Sequence, residues 1–219
     1  MLKPTQFKVS QQSLSKVPTD FAVDGKLTIN KPTGNFFYDP WEIKPEYKNT
    51  VWDELLSALD TPIGEARIIT LSSGTGYFQH ADIDDRYHLN ISGDCAYMID
   101  FDNEEMHRLS PDGIWYEMDA GRLHSAASFG KFNRTQIVVR KLLLRNSLID
   151  PVKVTVVATG NYARYDFDYT VSQWLNRANK TGDIAEFSYK GEVVTFLAEK
   201  HSIEGLRKFV PEYFNLKVE

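Results

Sequence analysis

Three residues in the middle of the chain have the types and spacing of a mononuclear metal site. His80 and Asp82 stand two residues apart, so on an extended strand their side chains leave from the same side. His124 follows 44 residues later, after several strand-like runs that can return the chain across a barrel. Two imidazoles and one carboxylate on one face leave the opposite positions of an octahedral ion open. That suits an Fe(II) enzyme that must bind a co-substrate and dioxygen together. A closed structural zinc site more often recruits Cys, and Cys95 is the only one here. Taken alone, a His-x-Asp pair is far more often an ordinary polar turn. Asp84 has the same alternation parity as Asp82 and is its rival.

Basic residues add weight. Arg134 lies ten residues after His124 and opens the apolar run Arg134-Thr135-Gln136-Ile137-Val138-Val139. A guanidinium is the preferred partner of a carboxylate because its fork makes two parallel charge-assisted bonds. The bland alternative is an Arg at a strand start paired with a surface acid. Arg86-Tyr87-His88-Leu89-Asn90-Ile91 alternates cleanly, with Arg86, His88 and Asn90 on one face and Tyr87, Leu89 and Ile91 on the other. A polar row turned inward is costly unless it binds something; turned outward it is an ordinary solvated face.

The stretch 62–145 resembles the 2-oxoglutarate- and Fe(II)-dependent dioxygenases. Within them it is most similar to the aspartyl/asparaginyl β-hydroxylase-like group, which includes cis-proline-type amino-acid hydroxylases. The resemblance rests on Ala66-Arg67-Ile68-Ile69-Thr70-Leu71 leading through a Gly-rich turn to His80-x-Asp82, and on Arg86-x-His88-Leu89. It rests also on Trp115-Tyr116-Glu117-Met118-Asp119-Ala120-Gly121 before His124-Ser125-Ala126, and on Arg134. It implies Fe(II) on His80, Asp82 and His124, with 2-oxoglutarate as co-substrate clamped by Arg134. Arg86 and His88 would add bonds to it or to an acidic substrate, and O2 would be the oxidant. The implied reaction hydroxylates an amino acid, free or within a protein or peptide, with release of succinate and CO2. The gap of six residues from His80 to Arg86 is shorter than the group's. Some members of the group hold their metal with two His and no carboxylate. The rival function is a non-enzymatic cupin-like protein that holds a metal or a small acid without oxidation.

The elements that must position these residues are mostly strands. Residues 65–144 read as short β runs separated by turn signals such as Ser72-Ser73-Gly74, Gly93-Asp94 and Pro111-Asp112-Gly113. His107 falls in a return strand and is expected to face solvent, and residues 126–133 read as a loop. Asn49-Thr50 caps an expected helix over Val51–Leu59. Residues 1–34 are polar, with short edge strands expected at Phe21–Val23 and Lys26–Asn30. The aromatic run Asn35–Trp41 reads as core, or as a wall near the pocket mouth. The expected fold is mainly β, a double-stranded β-helix (jelly roll or cupin-like) core over residues 1–150 with flanking helices. Residues 151–219 form a small α+β appendage of pattern β-α-β-β-α. That appendage is a candidate for covering a sheet edge, for homo-oligomer contact or for recruiting a partner.

Composition narrows the partners. The chain has 219 residues, 25 basic and 30 acidic, for a formal net charge of −5. That argues against nonspecific nucleic-acid binding, which needs a basic stripe. No apolar run approaches a membrane span. A single Cys excludes an internal disulfide and fits a reducing compartment, so a soluble cytoplasmic protein is expected.

Overall fold

The computed structural model describes residues 1–18, 25–157, 167–210 and 215–219. The strand expected at Phe21–Val23 lies outside them. The molecule is mainly β, with every paired strand antiparallel. It divides into two compact units, one of Met1–Gln79, Asp85–Asp119 and His124–Leu142, the other of His80–Asp84, Ala120–Leu123 and Leu143–Glu219.

The first unit carries β1 (Leu2–Lys8), β2 (Lys26–Thr28), β3 (Asn30–Pro32), β4 (Trp41–Ile43), β5 (Ala66–Leu71) and β6 (Thr75–Gly76). It continues with β7 (Arg86–Ser92), β8 (Ala96–Asp100), β9 (Glu105–Leu109), β10 (Ile114–Met118), β11 (His124–Ser128) and β12 (Arg134–Arg140). A six-stranded sheet has the order β1-β10-β7-β12-β5-β2, and a four-stranded sheet the order β6-β11-β8-β9. Strands β3 and β4 pair separately. The sequence reading missed β1, whose polar alternation belongs to an edge strand laid on β10.

The two faces of β7 and β12 have different company. Tyr87, Leu89, Ile91, Ile137 and Val139 are buried in the main apolar cluster with Ala66, Ile68 and Trp115. Two short helices, α1 (Gln11–Ser15) and α2 (Val51–Ser57), supply Leu14, Trp52, Leu55 and Leu56 to that cluster. Helix α2 starts where the sequence places it. The Thr50 hydroxyl accepts the Trp52 amide at 3.3 Å, and Asp53 and Glu54 sit in its first turn, where the helix dipole favours acids. The opposite face of β7 and β12 carries Arg86, His88, Asn90, Arg134 and Gln136, all buried. It looks toward the four-stranded sheet: Arg134 Nη1 donates to the Tyr97 carbonyl at 3.0 Å, and Asn90 Nδ2 to the Leu109 carbonyl at 3.2 Å.

Part of one expected loop is strand: Ala126–Ser128 of the loop read over 126–133. Residues 124–128 form β11, paired with β8 along its whole length and with β6 at its end. Ser125, Ala126, Ala127 and Ser128 have no strand preference of their own; pairing on both sides and complete burial override it.

The second unit has a four-stranded sheet of β13 (Pro151–Val157), β14 (Ile184–Lys190), β15 (Val193–Glu199) and β16 (Asn215–Val218), in the order β14-β15-β13-β16. Its helices are α3 (Ser172–Thr181) and α4 (Ile203–Phe209). This is the expected β-α-β-β-α order with one further strand. Helix α3 ends at Gly182, whose φ of 88° is the left-handed conformation that glycine adopts without a Cβ penalty. Asn179 on α3 holds the segment before β13. Its amide accepts the Leu144 N–H at 3.0 Å and donates to the Leu144 carbonyl at 3.1 Å. Among the described residues no helix is long and apolar enough to cross a membrane.

Candidate metal centre

The β6–β11 ladder delivers the first pair of residues. Gly76 pairs with Ala127 and Thr75 with Ser128. Beyond the ladder, the Tyr77 amide donates to the Ala126 carbonyl at 3.0 Å, and Ser125 Oγ donates to the Tyr77 carbonyl at 2.6 Å. The Asp82 amide donates to the Ala120 carbonyl at 2.7 Å. His80, Asp82 and His124 then offer one ligand atom each, all within 4.8 Å of one another. Asp84, the rival carboxylate, is buried and lies outside this group.

The donor set fits a metal. Two nitrogens and one oxygen, each about 2.1 Å from a single ion, stand roughly 3 to 4 Å apart, within the spread observed. His124 is buried, while His80 and Asp82 are partly exposed.

The basic residues gather in the polar interior of the first unit. Arg134 is fully buried. Its Nε donates to Asn90 Oδ1 at 3.3 Å, Nη1 to the carbonyls of Tyr97 at 3.0 Å and Ala127 at 3.5 Å, and Nη2 to Gln136 Oε1 at 2.6 Å and Met98 Sδ at 3.7 Å. All its partners are neutral, and among the described residues no carboxylate pairs with it. Burial draws its pKa down to about 10, so it stays charged at neutral pH. A buried cation without a counter-charge is costly, by several kcal/mol in order of magnitude. An arriving carboxylate would supply that charge, and the contacts to Met98 Sδ and the Ala127 carbonyl are the weakest ones for it to replace.

His88 lies in the same interior. Its Nδ1 is 3.4 Å from Gln136 Oε1, and its Nε2 is buried with no protein hydrogen-bond partner. Its pKa is lowered to about 3, first by burial and then by the charges of Arg134, Arg86 and His124, against a raising contribution from Gln136. The ring is therefore neutral at pH 7. Arg134, Arg86 and His124 thus lie within electrostatic reach of His88, so four of the six expected site residues share one neighbourhood.

Turns on either side fix Arg134. Gly93, at φ 113°, lets the β7–β8 turn pass so close that a Cβ there would stand 3.1 Å from Arg134 Cα. The Asp94 carboxylate accepts the amides of Lys131 at 3.1 Å and Phe132 at 3.3 Å, tying down the loop that leads into β12. Those amide bonds hold the Asp94 pKa below its usual value.

Gln136 and Asn90 are site residues that the motif search did not assign. The signal was available in parity: Gln136 shares the face of Arg134 on β12, as Asn90 shares that of Arg86 and His88 on β7. His107 departs from expectation. It is only partly exposed, and it groups with Asp100 and Glu105, with ligand atoms within 4.8 Å. On β9 it shares a face with exposed Glu105 and buried Leu109. Asp100 in that group is occupied by its own hairpin, accepting the amides of Asp102 at 3.1 Å and Asn103 at 3.2 Å.

No family model matches the chain, and no curated protein matches it. Among solved structures it is similar to a conserved protein of unknown function from Streptococcus pyogenes. That match has 12% identity over 58% of this chain and 91% of the other, with a TM-score of 0.32. It is also similar to CapF, solved with the inhibitor 3-isopropenyl-tropolone, at 14% identity over 60% of this chain, with a TM-score of 0.32. That match spans 34% of the CapF chain.

Proposed function

We propose that the chain is an Fe(II)- and 2-oxoglutarate-dependent dioxygenase built on a double-stranded β-helix. It would hydroxylate an amino acid or an amino-acid side chain in a protein. The observation that carries the proposal is the convergence of His80, Asp82 and His124, two imidazoles and one carboxylate from segments far apart in sequence. The fold reading is supported by the way the eight strands β5 to β12 are dealt between two sheets. β5, β7, β10 and β12 fall in one, and β6, β8, β9 and β11 in the other.

In this reading His80, Asp82 and His124 hold the iron. When bound, the iron supplies oxygen activation coupled to decarboxylation of the oxo-acid. The chain's own residues do the rest. Arg134 presents a charged fork in a water-poor interior, where a carboxylate gains most from it. Arg86 adds a second positive charge to the same interior. Asn90 and Gln136 hold the Arg134 guanidinium in one plane, so little rotamer freedom is lost when the acid arrives.

Anaerobic titration of Fe(II) and 2-oxoglutarate into the metal-free protein tests this. A visible metal-to-ligand charge-transfer band is expected, lost in His124→Ala and weakened in Arg134→Ala. Metal binding without the band would favour the non-enzymatic binder. No metal binding at all would remove the proposal.

A further inference from the structure

We propose that Gln136 locks the His88 ring with its proton on Nδ1, so that Nε2 is an acceptor for an O–H or N–H group of the bound ligand. This deepens the function proposed above by assigning His88 to a donor group on the substrate rather than to the carboxylate of the oxo-acid.

The argument is one of hydrogen-bond parity. A guanidinium can only donate. The Gln136 atom that meets Arg134 Nη2 at 2.6 Å must therefore be the amide oxygen, which settles the orientation of that amide. The same oxygen faces His88 Nδ1 at 3.4 Å. An oxygen already accepting from Arg134 can only accept again, so Nδ1 must carry the hydrogen. A neutral imidazole has one N–H, which leaves Nε2 as a bare lone pair.

The ring has good reason to stay neutral. It is buried, and Arg134, Arg86 and His124 all disfavour a further positive charge. Nε2 therefore cannot donate to a carboxylate. It is also buried with no protein partner, a costly state for a polar atom. Such an atom in a site that already holds a buried, charge-uncompensated Arg134 points to the ligand. Nε2 thus calls for a hydroxyl or amide N–H of the substrate beside the oxo-acid, and a hydroxy acid presents that donor together with a carboxylate for Arg134 in a single probe. A hydroxyl suits the surroundings better than an ammonium, because Arg86 and Arg134 repel a cation.

The tautomer is read by long-range 1H–15N correlation on 15N-histidine-labelled protein, with the His88 signals assigned by their loss in His88→Leu. The expected result is an Nδ1-protonated ring in the wild type and in Gln136→Glu, which keeps an oxygen in place. In Gln136→Leu the lock is gone, and the proton should redistribute to Nε2. The ligand half is tested with succinate and malate, which differ by one hydroxyl. Malate should bind about tenfold more tightly, the scale of one hydrogen bond, and should move the His88 Nε2 resonance. His88→Leu should bring the two acids to equal affinity.

An Nε2-protonated ring in the wild type would overturn the lock. Equal binding of succinate and malate, or no response at Nε2 to either acid, would overturn the ligand assignment. If Gln136→Leu fails to fold, the wild-type and Gln136→Glu spectra still decide the tautomer. These readouts need no iron. Loss of the charge-transfer band would sink the dioxygenase reading and leave the tautomer result standing, and the reverse also holds.

Discussion

Strands β7 and β12 carry two kinds of interior on their two faces. One face, with Leu89, Ile137 and Val139, is fully buried against other hydrocarbon. The other, with His88, Asn90, Arg134 and Gln136, is equally buried but polar. The backbone is the same; only the parity of the residue differs. The hydrocarbon face gains free energy from leaving water. The polar face must recover its desolvation cost one hydrogen bond at a time, and at His88 Nε2 and in the uncancelled charge of Arg134 it does not fully do so. That shortfall separates a face built to bind from a face built to fold.

The comparison can be broken by substituting one face at a time. Leu89→Ala should destabilise the protein by about 3 kcal/mol, within the usual range for a buried Leu, while leaving 2-oxoglutarate affinity within about twofold. Urea unfolding and ligand titration on the same sample check both halves. Arg134→Met should do the opposite. Oxo-acid affinity should fall about 100-fold, roughly 2.7 kcal/mol. Stability should change by less than about 1.5 kcal/mol, because relief of the buried charge offsets the acceptors left behind. If Arg134→Met unfolds the protein as readily as Leu89→Ala does, the two faces are not specialised in this way.

The smallest effect is on pH dependence. Burial and the neighbouring charges lower the His88 pKa from its ordinary 6.5 to about 3 in the folded protein. Between those values the unfolded chain holds a proton that the folded chain lacks, so stability falls as pH drops. The contribution is complete above about pH 6.5 and is lost progressively toward pH 3. His88→Gln should flatten that limb by up to about 1.4 kcal/mol per pH unit. Unfolding curves for the metal-free protein at several values between pH 7 and 4.5 would measure the difference.

Much of this was legible in the sequence, because strand parity is legible. The alternation of Arg86 to Ile91 predicted both faces of β7, and the Thr50 cap predicted the start of α2. The His-x-Asp spacing and the position of His124 nominated residues that the fold does bring together. Other features were not legible, for physical reasons. β11 is made of small residues with no preference for extended backbone, and only its neighbours on both sides make it a strand. β1 looks like a polar tail because an edge strand is half solvated. Gln136 shares the parity of Arg134, but its role is identified only by what Arg134 and His88 do with its oxygen.

The smallness of β11 has one more consequence. Its interior face carries His124, Ala126 and Ser128, and β8 sets Ala96 opposite Ser128. Met98 stands on this face opposite Ala126, but the side chains that β11 itself sets beside His124 are small. What β11 adds to this face after His124 thus stops at one carbon or one hydroxyl. Which guests are admitted would then depend on residues that never touch the reacting centre, and one added methyl at Ala126 could change the admissible size while every metal ligand stayed in place.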